Sequence, residues 1–228
     1  MVKNIKPNYR TRAINGIAIA ADRADFESCR VSAFKTLYGL SSVLQFELMT
    51  FVLNRYEPIY SSHVKDTEWL ISLRRNPHEW FELNGRKFPM PKKTGPADSA
   101  FIFSIDALLW ACENGNDKTI LASSAVCCIG GTIDAMMTNV WQADAPLAVK
   151  TWEAISVGAH VSGEDYENLY GNTLLENKAA LAVGKREWTT IVDFLLDRNV
   201  SGLRDETTKA EIEKGMLLWQ ESEMLLLS

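Results

Sequence analysis

The chain contains 228 residues, of which 46% are hydrophobic and 23% are charged, and its formal net charge is −5. This length and composition are typical of a globular protein with a sizeable core. The mild acidity argues against a general nucleic-acid binder, because such proteins carry a basic face. No uninterrupted apolar run approaches the roughly 18 residues of a membrane span, so we expect no direct contact with a membrane.

The first 21 residues combine a basic start with a short apolar stretch that Asn15-Gly16 interrupts. A secretory signal peptide needs about 7–15 apolar residues without interruption. We therefore expect a cytoplasmic protein, with export as the alternative. Because Asn-Gly fits the two central positions of a type I′ turn, residues 1–21 are also predicted to form an N-terminal arm or a short β-hairpin.

Histidines and cysteines are scattered along the chain, without a Cys-x-x-Cys pair or a His-Glu-x-x-His motif. They predict neither a metal site nor a cofactor. Three of the four cysteines lie in apolar central segments, and we expect free, buried thiols in a reducing compartment. The four are Cys29, Cys112, Cys127 and Cys128.

Apolar residues recur at helical spacing in three early segments, which are predicted to be helices: residues 25–38, 43–56 and 66–75. Pro58 is expected to end the second helix, and Glu47 and Arg55 on that helix are expected to form salt bridges with other elements. Residues 76–96 contain four prolines and two glycines and are predicted to be an insertion without a long helix. Asn84-Gly85 is predicted to form the turn of a second short β-hairpin or an exposed turn there.

Two long apolar helices are predicted in the middle of the chain, at residues 98–114 and from a cap at Asn116 or Asp117 to residue 141. The second is apolar on more than one face, which is typical of a buried helix. Its middle consists mostly of small residues and includes Gly130-Gly131, which would let neighbouring backbones approach closely. The sequence therefore predicts a tight central helical hairpin.

The last third of the chain is predicted to add helices at residues 147–157, 174–181, 188–196 and 206–227. The sequence contains no internal repeat of fixed period, and no flexible linker separates two cores. We therefore predict a mainly α fold, with residues 1–228 in a single domain. It would be a bundle of eight or nine helices around the central hairpin, with one or two short β-hairpins attached.

Asp106 and Asp134 lie one in each of the two central apolar helices. Folding the hairpin back on itself would place Asp106 near Ser123-Ser124 and Asp134 near Asp98. Since a buried carboxylate is costly unless it is paired, one hypothesis is a carboxylate pair for acid–base or metal chemistry in an interhelical pocket. The alternative is structural: each carboxylate accepts hydrogen bonds from hydroxyls or pairs with Arg or Lys, and so holds the helices in register.

Two acidic stretches in the last third are the best candidates for a partner-binding surface, because protein interfaces combine aromatic anchors with complementary charge. The alternative is ordinary solvated surface. The candidate residues are Glu164, Asp165, Tyr166, Glu167 and Tyr170 in the first stretch, and Asp205 and Glu206 in the second.

The order of features over residues 43–142 is also informative. Phe46-Glu-Leu-Met-Thr-Phe-Val-Leu-Asn-Arg-Tyr-Glu-Pro-Ile-Tyr60 contains an Arg-x-x-Pro step, and Trp69-Leu-Ile-Ser-Leu-Arg74 and Trp80 follow it. Next come Asp106-Ala-Leu-Leu-Trp-Ala111 and the small-residue segment Ala122-Ser-Ser-Ala-Val-Cys-Cys-Ile-Gly-Gly131. This layout resembles the all-α immunity proteins of bacterial polymorphic toxin systems, in particular the Imm-five-like group.

That resemblance implies a non-enzymatic, cytoplasmic bacterial protein that binds and neutralises a cognate toxin and has no catalytic residues. The acidic stretches would steer a basic partner, for example a toxic nuclease domain. The alternative hypothesis is a small helical enzyme or ligand-binding protein that uses Asp106 and Asp134 in an interhelical pocket. A third is a helical housekeeping protein with a regulatory partner.

Overall fold

The structure is a computed structural model, and it describes residues 9–91, 95–144, 150, 173–200 and 209–227. These residues contain ten helices and no strand, so the predicted mainly α fold is confirmed. The helices are α1 (Tyr9–Asp22), α2 (Phe26–Leu37), α3 (Ser42–His63), α4 (Glu68–Arg75), α5 (Pro77–Asn84), α6 (Pro96–Asn114), α7 (Lys118–Asp144), α8 (Thr173–Glu176), α9 (Lys178–Asp197) and α10 (Lys209–Leu227).

Helices α6 and α7 form the predicted central hairpin, and they make the most extensive helix–helix contact in the described part of the chain. Helix α7 also packs against α2, α3, α9 and α10, which places it at the centre of the bundle. The carboxylate of Asp117 caps α7 by accepting hydrogen bonds from the backbone nitrogens of Thr119 and Ile120, at 2.7 and 3.0 Å. Helix α6 starts earlier than predicted, because Pro96 occupies its first turn after Gly95.

Two adjacent glycines let other elements approach the backbone of α7. A Cβ at Gly131 would lie 2.6 Å from the hydroxyl of Ser104 and 3.1 Å from the carbonyl oxygen of Ala100, both on α6. A Cβ at Gly130 would lie 2.7 Å from Nε of Arg30 on α2. The pair therefore serves close packing, as its place within a helical pattern predicted.

Helix α7 is long and apolar enough to cross a membrane, when judged by length and composition alone. However, 78% of its most apolar window is buried against other helices. A helix at the centre of a bundle must be apolar on all faces, so the core accounts for this composition.

The predicted β-hairpin at Asn15-Gly16 is wrong, because α1 runs through both residues. Ile14 and Ile17 on either side are buried, and a Cβ at Gly16 would lie 2.9 Å from the hydroxyl of Ser32 on α2. Gly16 thus permits α1 and α2 to pack closely and does not form a turn.

The second predicted hairpin is likewise absent from the described residues. Helix α5 occupies part of the predicted insertion and ends at Asn84. Gly85 then adopts a φ of 62°, a left-handed value that suits glycine at the end of a helix. Asn84-Gly85 therefore forms a turn that does not connect two strands, which is the alternative to a hairpin that the sequence allowed.

Two predicted helix boundaries are also corrected. Helix α3 continues through Pro58 to His63, and the buried rings of Tyr56 and Tyr60 hold the chain on both sides of the proline. The segments predicted as helices at 174–181 and 188–196 are largely one helix, α9. A Cβ at Gly184 would lie 2.5 Å from the ring of Phe26, so this glycine again marks a close helix crossing.

Candidate functional site

The predicted partner surface lies outside the described residues. This applies to all seven of its members: Glu164, Asp165, Tyr166, Glu167, Tyr170, Asp205 and Glu206. The surface stays a prediction, and the two central aspartates are the candidate residues that the structure places.

Asp106 lies on the outer side of α6, and 40% of its side-chain surface is exposed. Its partner is Arg86, in the segment after α5, whose Nε and Nη2 donate hydrogen bonds of 3.2 and 2.5 Å to the two carboxylate oxygens. The guanidinium of Arg86 also lies 4.9 Å from the centre of the Trp110 ring. Asp106 therefore faces an arginine and not Ser123-Ser124, because it is on the side of α6 that faces away from α7.

Asp134 lies on α7, and Nη2 of Arg30 on α2 donates a 2.5 Å hydrogen bond to its Oδ2. The side chain is 38% exposed and lines a cleft whose other walls are mostly apolar. Desolvation in that cleft raises the pKa of the Asp134 carboxyl, and the Arg30 guanidinium only partly offsets this effect. The predicted proximity to Asp98 does not produce a carboxylate pair, since Asp98 bonds to other groups.

Asp106 and Asp134 thus bind different arginines on different helices, and they do not converge on one site. Asp134 lines the cleft and Asp106 does not. The arginine pairing that the sequence offered as the structural alternative is what both carboxylates show. The shared pocket of the enzymatic hypothesis has no geometric basis in the described residues.

The cleft lies among α2, α6, α7, α8 and α10 and has two adjoining compartments of about 290 and 510 Å³. These volumes are of the size that small organic ligands occupy in proteins. Glu27, Arg30, Ala100 and Asp134 line both compartments. The remaining wall is mostly apolar and consists of Phe103, Val126, Cys127, Gly131 and Trp219 in the smaller compartment, and Ala24, Asp25, Phe26, Met137, Leu174 and Leu175 in the larger.

Asp98 belongs to a separate polar cluster that joins the end of α3 to the start of α6. Its carboxylate is buried and lies 2.9 Å from Nε2 of His63, and the hydroxyl of Tyr56 donates a 3.4 Å hydrogen bond to it. The other ring nitrogen of His63, Nδ1, lies 2.9 Å from the carbonyl oxygen of Ile59. Because both nitrogens face protein oxygens, neither is free to act on a substrate, and the cluster is best explained as a connection between helices.

Glu187 on α9 is the most buried charged carboxylate among the ion pairs of the described residues, with 2% of its side chain exposed. Arg55 on α3 donates a hydrogen bond to its Oε2, and Nε of Arg186 donates one of 2.8 Å to its Oε1. Burial alone would raise the pKa of the Glu187 carboxyl, but the two arginines outweigh it and lower the pKa below its usual value.

Sequence reasoning anticipated the bonds of Arg55 and of Glu47, which pairs with Arg198. It missed Glu187. The available signal was its position: Glu187 stands four residues before Ile191, on the apolar side of α9 that also carries Trp188 and Leu195. A charge on a buried stripe implies a buried partner.

The outer face of α6 carries two aromatic side chains that the bundle does not cover. Phe103 is 54% exposed and Trp110 is 40% exposed, seven residues or two helical turns apart. The ion pair of Arg86 and Asp106 lies between them along the helix. We call these four residues the α6 face, and Phe103 connects it to the cleft, whose smaller compartment it also lines.

None of the four cysteines forms a disulfide, as expected, but only Cys29 and Cys128 are buried, whereas Cys112 and Cys127 are partly exposed. Burial raises the pKa of Cys29 and of Cys112 to about 12 and raises that of Cys128 further, so these three are poor nucleophiles at neutral pH. Within the described ranges, no three His, Cys, Asp or Glu side chains are grouped to hold a metal ion.

Comparisons with known proteins add no further assignment to this geometry. No protein-family model, no curated protein and no solved structure matches the chain.

Proposed function

We propose that this protein is an immunity protein that binds and neutralises a cognate bacterial toxin domain through protein–protein contact. The order of helices over residues 43–142 motivates the proposal by its resemblance to such proteins. The structural observation that supports it most is the α6 face, since α6 belongs to the central hairpin and still presents two large aromatic rings to solvent.

The composition of the α6 face suits a protein partner. Trp, Phe and Arg are enriched at interfaces, and a few such residues usually carry most of the binding free energy. The guanidinium of Arg86 bonds to Asp106 and lies against Trp110, so the three side chains contact one another before a partner binds. Preorganisation of this kind lowers the entropic cost of association.

The acidic stretches of the sequence have a different role in the proposal. Glu164, Asp165 and Glu167 would attract a basic toxin from a distance, in keeping with the net charge of −5. Electrostatic steering mainly increases the association rate, whereas aromatic anchors mainly slow dissociation. The two parts of the interface are therefore separable by kinetics.

The first test is capture with a tagged chain from a lysate of the organism that encodes it, with low-salt and high-salt washes. We expect one large partner whose C-terminal domain is toxic when it is expressed alone and harmless when it is co-expressed with this chain. A captured partner without toxicity, or toxicity that co-expression does not relieve, would contradict the immunity function.

The interface is tested by kinetics with the identified toxin domain. Trp110→Ala and Phe103→Ala should each speed dissociation by about ten-fold or more, as expected of anchor residues. Lysine at positions 164, 165 and 167 should instead slow association at low salt. Val43→Ala is the matched control, since Val43 is 76% exposed but lies on α3 and outside the α6 face. Unchanged dissociation in both aromatic variants would exclude the α6 face as the interface.

Ligand binding is the second candidate function, and the cleft is the observation that favours it. Of the two aspartates that the sequence suggested for this role, only Asp134 lines the cleft.

A further inference from the structure

The cleft has an uneven charge distribution that indicates which ligands it can hold. Its described lining includes three carboxylates, those of Asp25, Glu27 and Asp134, and one guanidinium, that of Arg30. Arg30 is engaged by Asp134 at 2.5 Å and lies 3.7 Å from Glu27. With ionised carboxylates the lining carries two negative charges in excess, against mostly apolar walls.

We infer that the cleft is a binding site for an amphipathic organic cation, with the ammonium group at Asp134 and the apolar body between Phe26, Met137 and the residues of α8. This inference names the ligand class for the second candidate function, ligand binding in the cleft, and does not depend on the proposed binding of a toxin.

The geometry of Asp134 favours a cationic group. Arg30 bonds to Oδ2, whereas no described residue donates a hydrogen bond to Oδ1, and the side chain remains 38% exposed. Desolvation that a single arginine does not offset leaves this carboxylate undercompensated, as its raised pKa reflects. An ammonium group at Oδ1 would supply the missing charge through a charge-assisted hydrogen bond, which is stronger than a bond between neutral groups.

Other ligand classes fit less well. An anion would have to displace Asp134 from Arg30 and would then lie next to Glu27 and Asp25. A divalent metal ion needs several ligands at one point, and the described residues contain no group of three suitable side chains. An uncharged apolar molecule would leave Asp134 without a second partner.

The apolar part of the ligand is accommodated by the larger compartment, about 510 Å³, whose walls include Phe26, Met137, Leu174 and Leu175. The aromatic ring of Phe26 and the thioether side chain of Met137 suit an aryl or alkyl group. The specificity would then come from one polar contact in a mostly apolar pocket, which is the usual arrangement of small-molecule sites.

The test uses three probes of one shape that differ in charge: 4-phenylbutylammonium, 4-phenylbutanol and 4-phenylbutyrate. Each is titrated by calorimetry into the full chain at neutral pH and low salt. We expect saturable binding of the ammonium with a dissociation constant of about 1 mM or below, at least about ten-fold weaker binding of the alcohol, and no binding of the carboxylate.

Asp134→Asn should weaken binding of the ammonium by about ten-fold or more, because a charged acceptor becomes a neutral one of the same shape. Asp106→Asn is the matched control. It makes the same change in an arginine-paired aspartate of similar exposure outside the cleft, and it should leave the affinity unchanged. Ala100→Leu narrows both compartments without altering a charge and should also abolish binding.

Several results would overturn the inference. They are the absence of saturable ammonium binding up to about 10 mM, equal or tighter binding of the carboxylate, and equal affinities of the Asp134→Asn and Asp106→Asn variants. Thermal unfolding of each variant shows that it is folded before titration. Failure here would leave the α6 face and the immunity function untouched, since those are measured with a protein partner.

Discussion

Two arginine–carboxylate pairs join helices that are distant in sequence, and their carboxylates have opposite surroundings. Glu187 is 2% exposed and bonds to both Arg55 and Arg186, and its pKa is lowered. Asp134 is 38% exposed and lines a cleft, and among the described residues only Arg30 bonds to it; its pKa is raised. From exposure alone one would expect the pKa to be raised at the more buried Glu187 and not at the more exposed Asp134.

The two carboxylates differ in how many hydrogen-bond donors each has gained in place of the water that it lost on folding. Two guanidinium groups compensate Glu187 fully, which is the arrangement of a structural ion pair. Asp134 has one guanidinium and a neighbouring carboxylate, Glu27, that raises its pKa further. A carboxylate with unused bonding capacity in a cleft is a candidate for ligand contact, whereas a saturated one in the core is not.

The largest effect should come from removing the charge of Glu187. Glu187→Gln removes the buried carboxylate that Arg55 and Arg186 share. Because their side chains are 33% and 66% exposed, we expect a loss at the lower end for a broken buried pair, about 3 kcal/mol in the free energy of unfolding. Urea denaturation measures it. Glu47→Gln is the control, since Glu47 and Arg198 are each 43% exposed, and it should cost about 0–1 kcal/mol. Equal costs at the two sites would contradict the contrast between buried and exposed pairs.

A second experiment compares how closely two helices approach the backbone of α7: α6 at Gly131 and α2 at Gly130. In Gly131→Ala the new methyl group meets the buried hydroxyl of Ser104 and the backbone carbonyl oxygen of Ala100, both on α6 and with little room to move, so we expect a loss of about 1–3 kcal/mol from overpacking. In Gly130→Ala it meets the flexible end of Arg30, and the gain in helix propensity of about 1 kcal/mol should offset most of the cost. Chemical denaturation measures the stability of both variants. The prediction would be wrong if Gly130→Ala were destabilised more than Gly131→Ala.

The opposite pKa shifts predict opposite effects on acid stability. Glu187, whose folded pKa is below the reference of 4.5, stabilises the fold above that pH, and this contribution is lost as the pH falls through the folded pKa. Asp134, whose folded pKa is above 3.8, contributes most below that value, and its contribution is lost as the pH rises through the folded pKa.

Stability measured between about pH 3 and pH 7 should therefore rise less steeply with pH in Glu187→Gln than in the unmodified protein, by about 1 kcal/mol over the range. In Asp134→Asn it should rise more steeply. Equilibrium unfolding at a series of pH values gives both slopes. If the slopes changed in the same direction in the two variants, the opposite pKa shifts of Glu187 and Asp134 would be refuted.

The smallest effect is expected for Asp134→Asn at neutral pH. Its partly exposed ion pair contributes about 0–1 kcal/mol to stability, and the variant also removes an undercompensated charge. Thermal unfolding should therefore place it near the unmodified protein. A loss comparable to that of Glu187→Gln would make Asp134 a structural residue and remove the basis for its role in the cleft.

Much of the helical framework was predictable because local patterns dominate it. The central hairpin, the cap at Asp117 and the break after Asn114 follow from apolar spacing and capping chemistry within a few residues. Two of the errors, the hairpin at residues 15–16 and the break between residues 181 and 188, have the same physical cause. Gly16 and Gly184 look like breaks in a sequence, but each lies where two helices cross, and tertiary contact makes the absence of a Cβ favourable within a helix.

The candidate site was predictable only in part. That Asp106 and Asp134 needed partners followed from their places in apolar helices, and arginine was among the partners expected. Which arginines bind them could not be inferred, because Arg30 and Asp134 are 104 residues apart and meet only through the packing of α2 on α7. Glu187 was missed for the same reason, since its main partner, Arg55, is 132 residues away.

The sequence by itself determined that the chain folds into helices and that the 98–141 region forms their centre, because periodicity and caps act over a few residues. Only the tertiary structure decided the environment of each charge: Asp106 beside Trp110 on an open face, Asp134 in a cleft, and Glu187 in the core between two arginines. Those environments depend on how many donors and how much water distant helices leave around a carboxylate, and residue spacing along the chain does not specify either quantity.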